Sequence, residues 1–200
     1  NFPKAWHEHI HTSSEGEKHI ADVKTENGWI LEFQHSYLNV QERKSRNEFY
    51  EKLVWVVDGL KRKTDLNRFF PTLKVICNAR GPIIGQICIV ESEKSALFRD
   101  WANCDGAVFF DFGSAGLWCL LPVLESRNRY VVEFSRSHFI QIHNYDASQL
   151  ELFPNYIKKI CSTIDEFSSK GFAVGTVQDR LRELPLAKPQ NKQLQSIVYL

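Results

Sequence analysis

The sequence predicts an α/β fold, and three observations carry that prediction. Asn27-Gly28 stands between two apolar runs, which is the strongest short-range signal for a β-hairpin. Residues 53–57 form a continuous apolar run of strand length, which suits the centre of a sheet covered on both faces. Further strand-like runs then alternate with segments of helical spacing. We therefore expect a mixed sheet flanked by helices, completed by a C-terminal α/β extension.

The first part of the chain, residues 1–70, contains the clearest element signals. We predict extended chain over 6–10, a turn at 12–17, a strand over 20–24, a two-residue turn at Asn27-Gly28 and a strand over 29–34. Ser36 or Asn39 is expected to cap a helix that runs to about residue 53. The face of this helix that packs on the sheet would carry the following side chains: Leu38, Val40, Arg46 (by its stem), Phe49 and Leu53.

The remaining elements define two further portions, residues 71–183 and a surface tail over 184–200. Residues 58–68 are polar and basic, and predict a connector or a short helix. We predict strands over 73–77, 83–90, 107–112, 117–121, 130–134 and 139–143, and helices over 93–103 and 152–169. The aromatic residues of this portion are expected to be mostly core, with one or two left to stack on an unpaired base: Trp101, Phe109, Phe110, Phe112 and Trp118.

Composition limits the class of protein. The 200 residues are 43% apolar and carry a formal net charge of +1, a balance that neither requires nor excludes a nucleic-acid partner. The five cysteines are odd in number and widely spaced, so we expect buried free thiols and a reducing, cytoplasmic location. No apolar run approaches the roughly 20 residues of a membrane span. The chain starts at Asn1 without any methionine, so we expect that the encoded start, and with it a first element, lies upstream.

The residues that carry chemistry lie on the two strands of the predicted hairpin. Asp22 and Glu32 are acids embedded in apolar strand sequence, where a charge is costly without a metal or a partner. Strand alternation puts Glu32 and Gln34 on one face and Phe33 on the other. The two carboxylates and the Phe33 carbonyl are oxygen ligands of the kind that Mg²⁺ prefers. Paired acids on an exposed hairpin are also common without a metal, so spacing alone leaves this open.

The wider pattern resembles a known family, the competence protein CoiA-like nucleases of the restriction-endonuclease-like, PD-(D/E)XK superfamily. The resemblance is close over residues 2–60 and looser around Trp101 and residues 109–113. It is carried by these motifs in this order: Phe2-Pro3, Glu8, His19-Ile20-Ala21-Asp22-Val23, Gly28, Glu32-Phe33-Gln34-x-Ser36, Arg46-x-x-Phe49-Tyr50 and Trp55-Val56-Val57-Asp58-Gly59.

The resemblance implies a restriction-endonuclease-like core and a role for each matching residue. Asp22 and Glu32 would be metal ligands, with Glu8 a third acidic ligand, and Mn²⁺ would substitute for Mg²⁺. Gln34 stands where the superfamily usually has a lysine that orients or activates water. A glutamine cannot supply that charge, but its amide can position a water.

Three further residues are candidates for DNA contact: Arg46, His19 and Tyr50. Arg46 would bind the scissile phosphate or a site carboxylate, and the alternative is a surface pair with Glu42 or Glu48. His19 would form a hydrogen bond to a metal ligand or to a phosphate, or it would have a structural role. Tyr50 is expected to pack, with its hydroxyl bonded locally.

Two rival sites are weaker. His7, His9 and His11 alternate along a strand and could gather around zinc, although no downstream partner is evident. A second candidate is a basic cluster that would form either a phosphate-contacting surface or a solvated loop: Lys61, Arg62, Lys63 and Arg68.

The function expected from these features is metal-dependent hydrolysis of DNA phosphodiester bonds by a Mg²⁺-activated water. The alternative is a catalytically degenerate nuclease fold that binds DNA during recombination, competence or phage defence, and Gln34 is the residue that keeps it open. A third interpretation is a scaffold for a protein partner or a homodimer.

Overall fold

The computed structural model describes residues 2–12, 16, 18–78, 84–90, 94–122, 129–145 and 147–170. It has a mixed α/β architecture in which helices flank one large sheet. The elements are β1 (His7–Thr12), β2 (Lys18–Lys24), β3 (Ile30–Gln34), α1 (Val40–Phe49), β4 (Leu53–Asp58), α2 (Lys63–Phe69), β5 (Leu73–Asn78), β6 (Ile84–Val90), α3 (Ala96–Trp101), β7 (Ala107–Asp111), β8 (Leu117–Leu120), β9 (Arg129–Phe134), α4 (Arg136–Tyr145) and α5 (Ala147–Lys170).

The nine strands in the described part of the chain lie in the order β1-β2-β3-β4-β7-β8-β9-β6-β5. Strands β3, β4 and β7 are parallel neighbours, and every other pairing is antiparallel. The β4–β7 pairing carries the sheet from residues 1–70 into the portion after residue 71, so both portions share one sheet. The tail expected from residue 184 lies outside the described residues.

Strand β4 lies in the centre of the sheet and is covered on both faces, as its apolar run predicted. All residues from Leu53 to Val57 are buried. Val54 and Val56 belong to one core cluster, together with side chains of α4 and α5, while Trp55 and Val57 belong to a second cluster with α2 and α3. The alternation of a strand thus divides the core into two layers. The aromatic residues that were predicted to lie in the core are buried in these layers, which confirms that prediction: Trp101, Phe109, Phe110, Phe112 and Trp118.

The β2–β3 turn differs from the predicted two-residue turn. The Thr25 amide donates to the Trp29 carbonyl and the Gly28 amide to the Thr25 carbonyl, so three residues form the loop. Gly28 has φ 76°, whereas Asn27 has no positive φ. A two-residue type I′ turn needs positive φ at both central residues; a three-residue loop needs one glycine in the left-handed region. The hairpin was predicted correctly and its turn type was not.

Helix α1 begins where predicted but ends earlier. The side chain of Asn39 accepts a hydrogen bond from the Gln41 amide at 2.8 Å, which identifies Asn39 rather than Ser36 as the cap. The helix ends at Phe49, and not near residue 53, because Leu53 pairs with Ile30 in the parallel ladder. Val40 is 51% exposed, so the prediction that it packs on the sheet was wrong.

The predicted strand over 139–143 is part of helix α4. The hydroxyl of Ser135 accepts a hydrogen bond from the His138 amide at 3.3 Å and marks the start of the helix. Phe139 and Ile142, three residues apart, both pack into the core below the sheet. That spacing belongs to a helix face, and the short apolar run concealed it.

The short helix predicted within residues 58–68 and the helix predicted over 93–103 are both present, with different bounds. Helix α2 covers Lys63–Phe69, and α3 is shorter than predicted, from Ala96 to Trp101. Among the described residues no helix is long and apolar enough to cross a membrane. Cys88, Cys119 and Cys161 are buried free thiols, and Cys104 is a half-buried one.

Candidate functional site

Asp22 lies where β2 separates from β3. The β2–β3 ladder contains the pairs Lys24–Ile30 and Val23–Leu31. At the next position the carboxylate of Asp22, rather than the backbone of β2, accepts a hydrogen bond from the Phe33 amide at 2.7 Å. The Asp22 side chain is thereby fixed against β3, directly beside Glu32.

The Phe33 backbone faces the same place. In an extended strand the N–H and C=O of one residue point to the same side. Because the Phe33 amide is directed at Asp22, its carbonyl is directed to the β2 side of β3 as well. The side chain of Phe33 packs against the other core layer, opposite to Glu32, as strand alternation predicted.

Glu32 is a buried carboxylate, 4% exposed. The pKa of Glu32 is raised to about 7: burial is the largest cause and the negative charge of Asp22 adds to it, while the Arg46 guanidinium acts to lower it. The ionised form of Glu32 is therefore costly in spite of an arginine at hydrogen-bond distance. A site with two mutually repelling carboxylates is one that a divalent cation would stabilise.

Arg46 binds two carboxylates at once. Its Nη1 donates to Glu32 at 2.8 Å and its Nε donates to Glu42, one helical turn earlier, at 2.9 Å. The guanidinium thus connects α1 to the centre of β3. Two of the predicted options, a site carboxylate and Glu42, are both realised in the structure.

His19 and Tyr50 lie beneath this site. The His19 ring is 8% exposed, packs at 4.6 Å from the Phe49 ring, and has Nδ1 4.0 Å from Glu42. Tyr50 is 5% exposed, and its hydroxyl has no hydrogen-bond partner among the described residues. Burial, followed by the charge of Glu32, raises the pKa of Tyr50 to about 12. The burial of both rings favours the packing alternative over direct DNA contact.

Gln34 lies on β3 two residues beyond Glu32, at the carboxyl end of the strand. Its amide nitrogen donates to the Ser36 carbonyl at 2.7 Å, which fixes the orientation of the amide. The amide oxygen retains its capacity to accept a hydrogen bond from water.

Glu8 lies on edge strand β1 between the cross-strand pairs His7–Val23 and His9–Ala21, which places it level with Asp22. It is exposed, and its φ of 52° makes it the one non-glycine residue of positive φ in the described part of the chain. A positive φ is uncommon for a residue other than glycine, and strained backbone of this kind clusters at functional sites.

The histidines of β1 are close together without forming a metal site. The rings of His9 and His11 are 5.0 Å apart, and His11 pairs with His19 across the strands. Burial lowers the pKa of His11. Within the described ranges, no group of three or more His, Cys, Asp or Glu side chains is arranged to hold a metal ion. Tetrahedral zinc needs such a group, whereas the site at Asp22 and Glu32 would complete its ligands with a backbone carbonyl and water.

Two acids at the carboxyl ends of the parallel strands were not identified from the sequence as part of a site. Asp58 ends β4 and its carboxylate is 3.2 Å from Nδ1 of His35. Asp111 ends β7 and accepts two hydrogen bonds from Arg136, at 2.5 and 2.6 Å. Burial acts to raise the pKa of Asp111, but the bonds from Arg136 outweigh it, and the pKa lies below its usual range. The available signal was an aspartate directly after each apolar run, since ligand sites of open α/β sheets lie at this edge.

The basic cluster after β4 is partly paired. Arg62 donates to Asp65 at 2.7 Å and to Asp100 at 3.2 Å, while Lys61, Lys63 and Arg68 are exposed.

Comparison of the chain with models of protein families, with curated proteins and with solved structures gives no match.

Proposed function

We propose that this protein is a metal-dependent nuclease that hydrolyses DNA phosphodiester bonds. One observation carries the proposal: the Asp22 carboxylate bonds the Phe33 amide, immediately beside the buried carboxylate of Glu32. The mixed sheet flanked by helices is the architecture that the resemblance to restriction-endonuclease-like proteins implies. The free cysteines are in keeping with a cytoplasmic location.

The residues at this site fit a hard divalent cation such as Mg²⁺ or Mn²⁺. Asp22 and Glu32 would hold it with their carboxylates and Phe33 with its carbonyl, and water would complete the ligands. Glu8 lies level with Asp22 on the neighbouring strand, but among the described residues it forms no three-acid group with these carboxylates. A bound metal of this kind supplies an activated water and balances charge on the phosphate. The raised pKa of Glu32 is the electrostatic reason for a cation to bind here.

The chain's own residues have distinct roles in this proposal. Arg46 orients Glu32 through its 2.8 Å hydrogen bond and is itself fixed by Glu42. Gln34, whose amide nitrogen is held by Ser36, presents its oxygen as an acceptor that positions the attacking water.

A second candidate is a degenerate nuclease that binds DNA without cutting it. Two observations favour it: Gln34 brings no positive charge to the site, and Glu32 already accepts a hydrogen bond from Arg46, which offsets part of its charge without a metal. The two candidates differ in chemistry and agree on the binding surface.

A nicking assay separates these candidates. Supercoiled plasmid and single-stranded oligonucleotides are incubated with Mg²⁺ or Mn²⁺ and wild-type protein, Asp22→Asn, or Glu26→Gln as the matched control. Glu26 is an exposed acid of the adjacent turn, so its removal alters charge without touching the site. Cleavage that Asp22→Asn abolishes and Glu26→Gln retains supports the nuclease. Salt-dependent DNA binding without cleavage supports the degenerate form, and the absence of both contradicts the two candidates together.

A further inference from the structure

A small cavity opens at the carboxyl end of β3, beside Gln34. Its volume is about 130 Å³. The loop after β3 forms one wall with Tyr37 and Leu38, and helix α3 forms another with Leu97 and Trp101. Pockets for drug-sized ligands measure roughly 300–1,000 Å³, so this cavity has room for one planar ring system rather than a whole nucleotide.

The charged side chains that line the cavity balance in number: three are basic (Arg43, Lys61 and Arg62) and three are acidic (Asp58, Asp65 and Asp100). Arg62 pairs with Asp65 and Asp100. The Arg43 guanidinium lies 4.9 Å from the centre of the Trp101 ring and donates to the Asp100 carbonyl. Because these charges balance, little net positive potential is left to attract a phosphate, so the cavity suits an uncharged ligand.

Tyr37 stands at the mouth of this cavity with 82% of its surface exposed, and the neighbouring Val40 is 51% exposed. Single exposed apolar residues are ordinary on protein surfaces. Here an aromatic ring and an aliphatic side chain border the same cavity, three and six residues after Gln34. An aromatic ring in that position is suited to stack on a flat ligand.

We propose that this cavity is a subsite for one unpaired nucleobase, stacked on Tyr37, and that the substrate is therefore DNA that is single-stranded next to the bond cut. The inference rests on the proposed DNA-directed function of the Asp22 site, because Gln34 belongs to both. The carboxylate of Asp58 lies at the cavity and can accept a hydrogen bond from a base edge. A base within a duplex is stacked on its neighbours and cannot enter such a cavity unless it is extruded.

The test measures binding in an Asp22→Asn background, so that no DNA is cut. Fluorescence anisotropy is recorded for a single-stranded thymidine oligonucleotide, the same strand with abasic sites, and a duplex. Stacking on an aromatic side chain accounts for about a fivefold to hundredfold difference in affinity per base. Tyr37→Ala should weaken binding of the thymidine strand by at least about fivefold and leave duplex and abasic binding unchanged. A strand containing 2-aminopurine should lose fluorescence on binding, and Tyr37→Ala should remove this quenching.

Two control variants keep the result specific. Tyr37→Phe retains the ring and should bind like the parent protein. Val75→Ala removes a 47% exposed apolar side chain from edge strand β5, at the other end of the sheet from β1, and should also be neutral. Equal affinity of Tyr37→Ala and the parent for the thymidine strand, or equal losses on strand and duplex, would overturn the subsite. Failure of the nuclease proposal is seen separately, as absence of cleavage by the wild-type protein while Tyr37-dependent strand binding persists.

Discussion

Two arginine–carboxylate pairs of this fold behave in opposite ways. Arg46 bonds Glu32 in the middle of β3, and Arg136 bonds Asp111 at the end of β7. The pKa of Glu32 is raised to about 7, whereas the pKa of Asp111 lies below its usual range. An arginine at hydrogen-bond distance therefore does not by itself identify a satisfied carboxylate.

Burial, number of bonds and neighbouring charge explain the difference. The Glu32 side chain is 6% exposed, receives one hydrogen bond from an arginine that it shares with Glu42, and lies beside Asp22. The Asp111 side chain is 30% exposed, receives two bonds from its arginine and a third from the Gly113 amide. The Asp111 pair is complete as it stands, while the Glu32 pair lacks positive charge. This asymmetry points to Glu32 as the carboxylate to which a cation would add stability.

The largest expected effect is on cleavage. Asp22→Asn and Glu32→Gln each remove a ligand charge and should lower the cleavage rate by at least about a hundredfold, while Asp111→Asn should leave the rate unchanged. Initial rates of plasmid nicking in Mg²⁺ measure this. Circular dichroism and thermal melting confirm that each variant is folded. Nearly full activity in Glu32→Gln would remove this carboxylate from the site, and strong loss in Asp111→Asn would move the site to the other strand ends.

The pH dependence of stability should have opposite signs at the two carboxylates. Folded Glu32 has a pKa of about 7 against an ordinary value of 4.5, so the folded protein binds the proton more tightly. Its stabilising contribution is complete below pH 4.5 and is lost as the pH rises through 7. Urea unfolding with a chelator present should show wild type losing roughly 2 kcal/mol relative to Glu32→Gln between about pH 5 and pH 8.

Asp111 provides the matched comparison for that measurement. Its folded pKa is depressed, so its contribution is present above the ordinary value of 3.8 and is lost as the pH falls through the folded pKa. Asp111→Asn should therefore differ from wild type at neutral pH and converge with it in acid. Parallel pH profiles for the Glu32 and Asp111 variants would contradict the electrostatic distinction between the pairs.

Replacing each arginine by alanine should cost different amounts of stability in the two pairs, although the difference is smaller than in the preceding predictions. Arg46→Ala leaves a buried carboxylate without its cation and should destabilise the protein by about 1–3 kcal/mol at about pH 8, and by less at about pH 5, where Glu32 holds a proton. Arg136→Ala exposes a carboxylate that water already reaches, so its cost should be about 1 kcal/mol at both pH values. Equal pH dependence in the two variants would show that Arg46 does not control the charge of Glu32.

The same Arg46→Ala variant tests contact with DNA. Because its Nε and Nη1 atoms are engaged by Glu42 and Glu32, we expect the slope of log affinity against log salt to stay unchanged in an Asp22→Asn background. A slope flatter by roughly one unit would instead place Arg46 on a phosphate.

Local signals predicted most of the fold. The hairpin, the Asn39 cap and the buried run of β4 follow from backbone and burial preferences of neighbouring residues, and the structure contains all three. The strand predicted over 139–143 failed because a five-residue apolar run is compatible with a strand or a helix face. The choice was made by packing of Phe139 and Ile142 under the sheet and by the Ser135 cap.

The closeness of the candidate residues was predictable from the sequence, whereas their electrostatics were not. Asp22, Phe33 and Glu32 were identified from acids in apolar strands, and the structure places them together. The partners of Arg46 were left open because its choice between carboxylates depends on the distance of α1 from β3. The Asp111–Arg136 pair joins residues 25 apart through sheet order, which no local pattern contains.

The smallest expected effect comes from Gln34→Lys, which adds to the Glu32 pair the charge that it lacks. The ammonium can donate to the Ser36 carbonyl as the Gln34 amide now does, so stability should change by less than about 1 kcal/mol. The new charge lies near Glu32 and should lower the pKa of this carboxylate, which flattens the fall of stability between about pH 5 and pH 8. It should also raise the cleavage rate about fivefold, equivalent to about 1 kcal/mol of barrier.

Gln34→Met is the control, because it keeps the length of the side chain without a charge or an amide. It should neither flatten the pH profile of stability nor raise the cleavage rate. If Gln34→Lys and Gln34→Met give the same pH profile and rate, the side chain at this position lies beyond electrostatic reach of Glu32, and the water-positioning role assigned to Gln34 is wrong.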